Sequence, residues 1–225
     1  MMKLIPLTLL TALIITPGLA QAGLIVGGTR LIYDGSKKES SINVSNPDQA
    51  PYLVQSWVEP EINRAEKTPF VITPPLFRLD GGQENVLRVV RAGGNLPQDR
   101  ESLYWLNIKS IPSIEKDQGK NLLQIAVKTR IKLIYRPEGL TGSAEVLTHK
   151  LSWQRRGNRL EVSNPTSFYM NFQSVTVAGK ELEDARYIAP QSSAIFELPS
   201  GAGNSVSWKI INDYGGIGEL HRASF

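Results

Sequence analysis

The chain is read as an all-β protein of two β-sandwich domains in succession. Three observations carry that reading. Short apolar-rich runs recur along the chain with turn residues between them. Gly and Pro are frequent, 19 and 14 among 225 residues, and no long helical periodicity appears. The texture of the sequence changes once, near Pro137, after which a second series of strand-like runs begins.

The first 22 residues stand outside this pattern. Lys3 precedes an apolar stretch from Leu4 to about Ile15, and Ala20-Gln21-Ala22 supplies a small-x-small cleavage site before Gly23. This reads as a cleavable signal peptide cut between Ala22 and Gly23. The alternative, a membrane anchor, needs about 20 consecutive apolar residues, and this stretch falls short.

The first series of runs is Gly28–Tyr33, Ser41–Pro47, Tyr52–Glu59, Phe70–Leu79, Val86–Ala92, Ser102–Pro112 and the long run Leu123–Tyr135. About seven strands at this spacing match an immunoglobulin-like sandwich, assigned to residues 23–137. The final run alternates strictly. Leu123, Ile125, Val127, Thr129, Ile131, Leu133 and Tyr135 form one face, and Gln124, Lys128, Arg130 and Lys132 lie on the other. Thirteen residues at ~3.3 Å each span roughly 43 Å, about twice an ordinary strand. A small domain cannot cover all of that face. An uncovered apolar edge invites pairing with another chain, so weak self-association is also expected of it.

Residues 138–143, polar and Gly-bearing, read as a linker. A second sandwich, 144–225, follows with runs at Lys150–Arg156, Arg159–Pro165, Phe168–Val177, Ala194–Pro199 and Ser205–Asp213. Ser-Asn-Pro occurs at Ser45–Pro47 and again at Ser163–Pro165, suggesting related turns.

The residues offer little for catalysis. There is no cysteine, so neither thiol chemistry nor disulfides are available and stability must come from packing. His149 and His221 lack ligand-spaced partners and read as exposed loop residues, which argues against a metal site. Counting alone leaves a Ser-His-Asp arrangement open, yet no G-x-S-x-G elbow is present. Gly215–Gly218 matches no phosphate-binding loop and reads as a turn. The formal charge of +4, one unit less without Lys3, is a mild basic bias that does not call for nucleic acid. The chain is therefore read as a non-enzyme without a cofactor.

Several segments resemble the PapD-like periplasmic pilus chaperones of the chaperone–usher family. Leu96–Pro112, Thr73–Gly82, Tyr52–Glu59 and Arg130–Pro137 carry the likeness in the first domain, and Ser163–Thr166 and Asn212–Gly215 in the second. The resemblance implies a boomerang of two immunoglobulin-like domains in the periplasm. It implies pilus subunits as clients, an outer-membrane usher as the receiving partner, and no nucleotide. By resemblance, Leu123, Ile125 and Val127 are the side chains lent to a subunit whose own sandwich lacks a strand, whereas Ile131, Leu133 and Tyr135 serve the protein's own core. Arg30 and Lys132 are implied to bind the subunit's C-terminal carboxylate. Glu101, Arg136 and Asp213 resemble an ion set between the domains. The short connection Ser113–Asn121 is similar to the short F1–G1 loop branch of the family. The competing readings are a secreted immunoglobulin-like structural or adhesive surface protein and a periplasmic hydrolase. The first lacks a free donor arm at Gly23, and the second lacks a catalytic constellation.

Overall fold

The computed structural model describes residues 23–62, 67–113, 123–201 and 203–225. The expected signal peptide, and most of the short connection read from Ser113–Asn121, lie outside the described residues.

The first part of the chain forms two facing sheets. One comprises β1 (Ile25–Val26), β3 (Glu39–Ser45), β7 (Glu84–Arg91) and β5 (Phe70–Thr73), in that spatial order. The other runs β2 (Arg30–Asp34), β9 (Val127–Arg136), β8 (Ser102–Pro112), β4 (Tyr52–Pro60), β6 (Leu76–Leu79). Alternate residues of both sheets meet in one core, with Val44, Val54, Leu87, Val89, Leu106 and Leu133 fully buried. Full burial of such a side chain is worth about 1.5–3 kcal/mol.

Two strand changes differ from the sequence reading. Phe70–Leu79, expected as one strand, is two, β5 and β6, which lie in opposite sheets on either side of a cis Thr73–Pro74 bond. Pro74 and Pro75 have no N–H to give a ladder, so a continuous strand is interrupted there. The first strand also changes sheets. β1 pairs with β3, and after Gly27 and Gly28 the chain joins β9 as β2. A side chain on Gly27 would come within 3.2 Å of the Asn43 carbonyl, so the crossing runs close to β3.

The second core gathers Trp153, Leu160, Val162, Phe168, Met170, Phe172, Val175, Val206, Trp208 and Ile210. Its sheets are β10 (Ser152–Arg156), β11 (Arg159–Asn164) and β15 (Ser192–Glu197) on one side. On the other are β13 (Lys180–Glu181), β12 (Met170–Val177), β16 (Ser205–Ile210) and β17 (His221–Ser224), with β14 (Tyr187–Ile188) also pairing to β12. A short helix, α1 (Ala144–Leu147), precedes the sheets, and Ser143 caps it by accepting the Val146 N–H at 3.3 Å. The C-terminal tail contains strand β17, which the sequence reading did not include. His221 therefore is not a loop residue. Its ring stacks on Trp208 at 5.6 Å, because the tail folds back along β16. His149 is exposed in a single 3-10 turn, Thr148–Lys150.

The two Ser-Asn-Pro turns are built alike. Asn46 donates to the Ala50 and Leu79 carbonyls at 2.9 and 3.1 Å and accepts the Asp48 N–H at 3.0 Å. Asn164 donates to Phe168 and Ala189 at 2.8 and 3.0 Å and accepts the Thr166 N–H at 3.1 Å. Each buried amide is saturated by residues two and four positions on plus one distant carbonyl, which a buried polar group requires.

Candidate functional site: an open strand edge and two adjacent cations

Strand β9 is covered unequally. On one side it pairs antiparallel with β8 from Val127↔Ser110 to Tyr135↔Ser102. On the other side β2 runs parallel to it only from Arg30↔Lys132 to Asp34↔Arg136. Among the described residues, no strand covers that second side from Val127 to Ile131. Leu123, Ile125 and Val127 are 87%, 66% and 47% exposed, whereas Ile131, Leu133 and Tyr135 lie in the core. The expected single run from Leu123 is shortened, because Leu123–Ala126 belong to no strand. Pairing between β8 and β9 ends at Ser110, and Pro112 beyond it has no N–H. Gln124 Nε2 donates to the Pro112 carbonyl at 2.6 Å, a side-chain bond from this stretch to the end of β8.

The strand crossing at Gly27-Gly28 puts Arg30 at the head of β2, directly opposite Lys132. Both face the second domain. Arg30 donates from one terminal nitrogen to the Ile211 carbonyl at 3.1 Å, while its buried Nε has no hydrogen-bond partner. The Lys132 ammonium donates to Asn171 Oδ1 and sits 4.3 Å from the Tyr187 ring centroid. Burial, reinforced by the Arg30 charge, pushes Lys132 down to about 8, and Glu61 opposes the fall. Burial also lowers Arg30, with Asp213 opposing. Two like charges side by side are an arrangement that can receive an anion. A carboxylate suits it, because it accepts charge-assisted bonds from a guanidinium and an ammonium together.

Glu101, Arg136 and Asp213 are brought together. Arg136 lies 2.7 Å from Glu101 and 2.7 Å from Asp213, and its two terminal nitrogens engage both Asp213 oxygens. Glu101 is 4% exposed and also accepts the Tyr169 N–H at 2.7 Å, so one carboxylate of the first domain is bonded to the second. Burial raises the Glu101 carboxyl, with Arg136 and the Tyr169 amide opposing. The two carboxylates drive Arg136 above its ordinary value despite its burial. Asp213 is aimed by the turn after β16, where Asn212 Oδ1 accepts the Tyr214 and Gly216 N–H groups. Gly215 has φ +85°, and a side chain there would meet Thr29 Oγ1 at 2.6 Å. Only glycine suits both demands.

The sequence reading missed the apolar contact between the domains. Leu103, Ile134 and Tyr169 are buried together, with Ile32, Tyr187 and Ala189 packed on them. It also missed Asn171 and Glu61. The signal was present at Ile134, an apolar residue on the otherwise charged face of β9, and in Phe168–Phe172, which breaks alternation as a segment buried on both sides must. Outward from Lys132, the same face of β9 continues as cations on aromatic rings, with Arg130 over Trp105 at 4.2 Å and Lys128 over Trp57 at 5.2 Å.

Comparison with known proteins places the fold in a family. Residues 23–141 match the family model described as pili and flagellar-assembly chaperone, PapD N-terminal domain. Residues 147–222 match pili assembly chaperone PapD, C-terminal domain. The probable fimbrial chaperone LpfB of Escherichia coli O157:H7 is 43% identical, covering 98% of this chain and 96% of its own. The chaperone protein FimC of Escherichia coli K12 is 41% identical, covering 89% of this chain and 83% of its own. Among solved structures, the SafB chaperone of Salmonella enterica, in complex with the SafA pilin, superposes with a TM-score of 0.84 at 37% identity, covering 90% of this chain and 96% of that one. The Escherichia coli chaperone DraB superposes at 0.81 with 43% identity over the same shares. An all-β chain of two such sandwiches, matched in both halves and along nearly its whole described length, belongs to the PapD family of pilus-assembly chaperones.

Proposed function

We propose that the protein is a periplasmic chaperone that captures pilus subunits by lending them a strand and passes them to an outer-membrane usher without a nucleotide. The first sandwich, 23–137, is the donor. The second, 144–225, joined through 138–143, buttresses the anion site. The observation that carries the reading is the exposed row Leu123, Ile125, Val127 beside a strand edge that ends at Arg30 and Lys132. A subunit with an incomplete sandwich presents an apolar groove and unpaired backbone groups, and strand addition satisfies both. Three aliphatic side chains contribute roughly 5–9 kcal/mol on full burial, less the cost of ordering the two chains.

The register also sets the guest's direction. A strand that fills the track ahead of β2 and runs as β2 does, parallel to β9, arrives at Arg30 and Lys132 with its C-terminus. Its chain-end carboxylate then meets the cations. An antiparallel guest would bring an ammonium to them instead. Pinning the chain end fixes the register, and a slip of one residue would turn the lent side chains away from the groove. The Glu101–Arg136–Asp213 set holds the second domain against this end of β9.

The test is co-expression with a pilus subunit in a periplasm. The subunit accumulates with the wild-type protein and is degraded with the Arg30→Ala/Lys132→Ala double variant or with Ile125→Asp. Stable subunit beside the double variant would contradict the reading.

A further inference from the structure

Two tyrosines of the second domain converge on Glu61, just past the end of β4 in the first. The Tyr169 hydroxyl donates to Glu61 Oε2 at 3.3 Å, and the Tyr187 hydroxyl donates to Oε1. The Arg136 ion set uses only the backbone N–H of Tyr169, and the three side chains lie apart from the open edge. Yet Tyr187 is the ring beneath the Lys132 ammonium, and its face is presented to that cation at 4.3 Å. One side chain therefore links a carboxylate of the first domain to the lysine at the head of the open edge.

We propose that Glu61 and Tyr187 are positioning residues for the carboxylate grip, Glu61 fixing the Tyr187 ring and the ring holding the Lys132 ammonium toward the incoming chain end. This rests on the reading of Arg30 and Lys132 given above. Arg30 and Lys132 are partners on adjacent strands, so an empty site carries two repelling cations in a half-buried place. The groups around Lys132 are Arg30 from β2, Arg130 along β9, Trp105 from β8, Asn171 from β12, Tyr187 from β14 with Arg186 beside it, and Glu61. Farther along the same face, Glu59 lies 4.0 Å from Lys128 and 3.8 Å from Arg130. Glu61 is the carboxylate that favours the charged form of Lys132.

A tyrosine between the two is what distinguishes this arrangement. A direct Glu61–Lys132 ion pair would occupy the donors that a guest carboxylate needs. The ring instead offers a weaker cation–π contact, which steadies the ammonium and yields to a carboxylate. The burial that favours neutral lysine is opposed in part by Glu61 at longer range.

The test uses the synthetic C-terminal peptide of the co-expressed pilus subunit, made as the free acid and as the C-terminal amide. Binding to the full-length mature protein is followed by fluorescence polarisation from about pH 6 to about pH 10, a range spanning the lysine transition. The ratio of acid to amide affinity reports the grip alone. In the wild type this ratio collapses as pH rises past the Lys132 transition. Tyr187→Leu should lower the ratio about fivefold at neutral pH, the size of one partly desolvated cation–π contact, with amide binding unchanged. Tyr187→Phe, which keeps the ring, should recover most of it. Glu61→Gln should move the midpoint of the collapse to lower pH, a shift that simple loosening of the domains does not produce. Equal losses for acid and amide in the Tyr187 and Glu61 variants, or a wild-type ratio and midpoint in both, would overturn the inference while Lys132→Ala still abolishes the ratio. If Lys132→Ala leaves the ratio intact, the carboxylate reading itself fails, and the inference with it.

Discussion

Replacing Arg136 by Met keeps much of the side-chain volume and removes the charge that two domains share. The Glu101 side chain is 2% exposed and that of Asp213 is 28% exposed, so the two carboxylates lose unequally. Glu101 would retain only the Tyr169 N–H bond and Asp213 would turn to water. Removing one partner of a buried pair costs about 3–5 kcal/mol, whereas the half-solvated Asp213 arm adds about 0–1 kcal/mol. With a urea slope near 2 kcal/mol per molar, the first unfolding midpoint should fall by roughly 1.5–3 M, measured by tryptophan fluorescence at neutral pH. Burial raises the Glu101 carboxyl and Arg136 opposes the rise, so without Arg136 its folded pKa lies further above the ~4.3 of an unfolded chain. The penalty is therefore absent below that unfolded value and grows as pH rises through the folded one. Arg136→Met and wild type should converge as pH falls from about 7 toward about 4, and adding Glu101→Gln should restore part of the loss at neutral pH. A loss below about 1 kcal/mol, or one that persists unchanged in acid, would refute the assignment of Glu101 as the buried half of this set.

Three further outcomes are expected. Ile125→Asp should change stability by less than about 0.5 kcal/mol because its site is open to water, whereas Leu133→Ala, at a position with no exposure, should cost about 2–5 kcal/mol; urea titration separates them. Asn46→Ala and Asn164→Ala should each cost about 1–3 kcal/mol, since both leave buried backbone groups without partners, and similar losses in both would support equivalent turns. The empty protein should self-associate weakly through the β9 edge, with Ile125→Asp reducing the effect; sedimentation showing a strict monomer at every concentration would count against an adhesive edge.

The alternation of Leu123–Tyr135 made the strand and its surplus apolar face legible, because period two is written directly into residue order. The extent of the strand was not legible, because it depends on where β8 stops offering bonds, at Ser110. Arg30 and Lys132 were placed by resemblance alone. Their adjacency arises from a sheet change at Gly27-Gly28 that no local pattern announces. The Glu101, Arg136 and Asp213 set was named the same way, and its members are 35 and 77 residues apart in sequence. Glu61, Asn171 and Tyr187 went unnoticed because each looks like an ordinary surface or strand residue until the domains meet. The His221 strand was lost for a related reason, since four residues of mixed polarity acquire strand geometry only from β16 beside them.

Amide hydrogen exchange of Leu123–Ile131, compared between the free protein and its complex with a pilus subunit, tests the strand-lending claim most directly. The open-edge amides should exchange quickly when the protein is empty and become strongly protected in the complex, with the change stopping where β2 already covers the strand at Lys132. A complex that forms while these amides keep exchanging at their free rates would contradict the account.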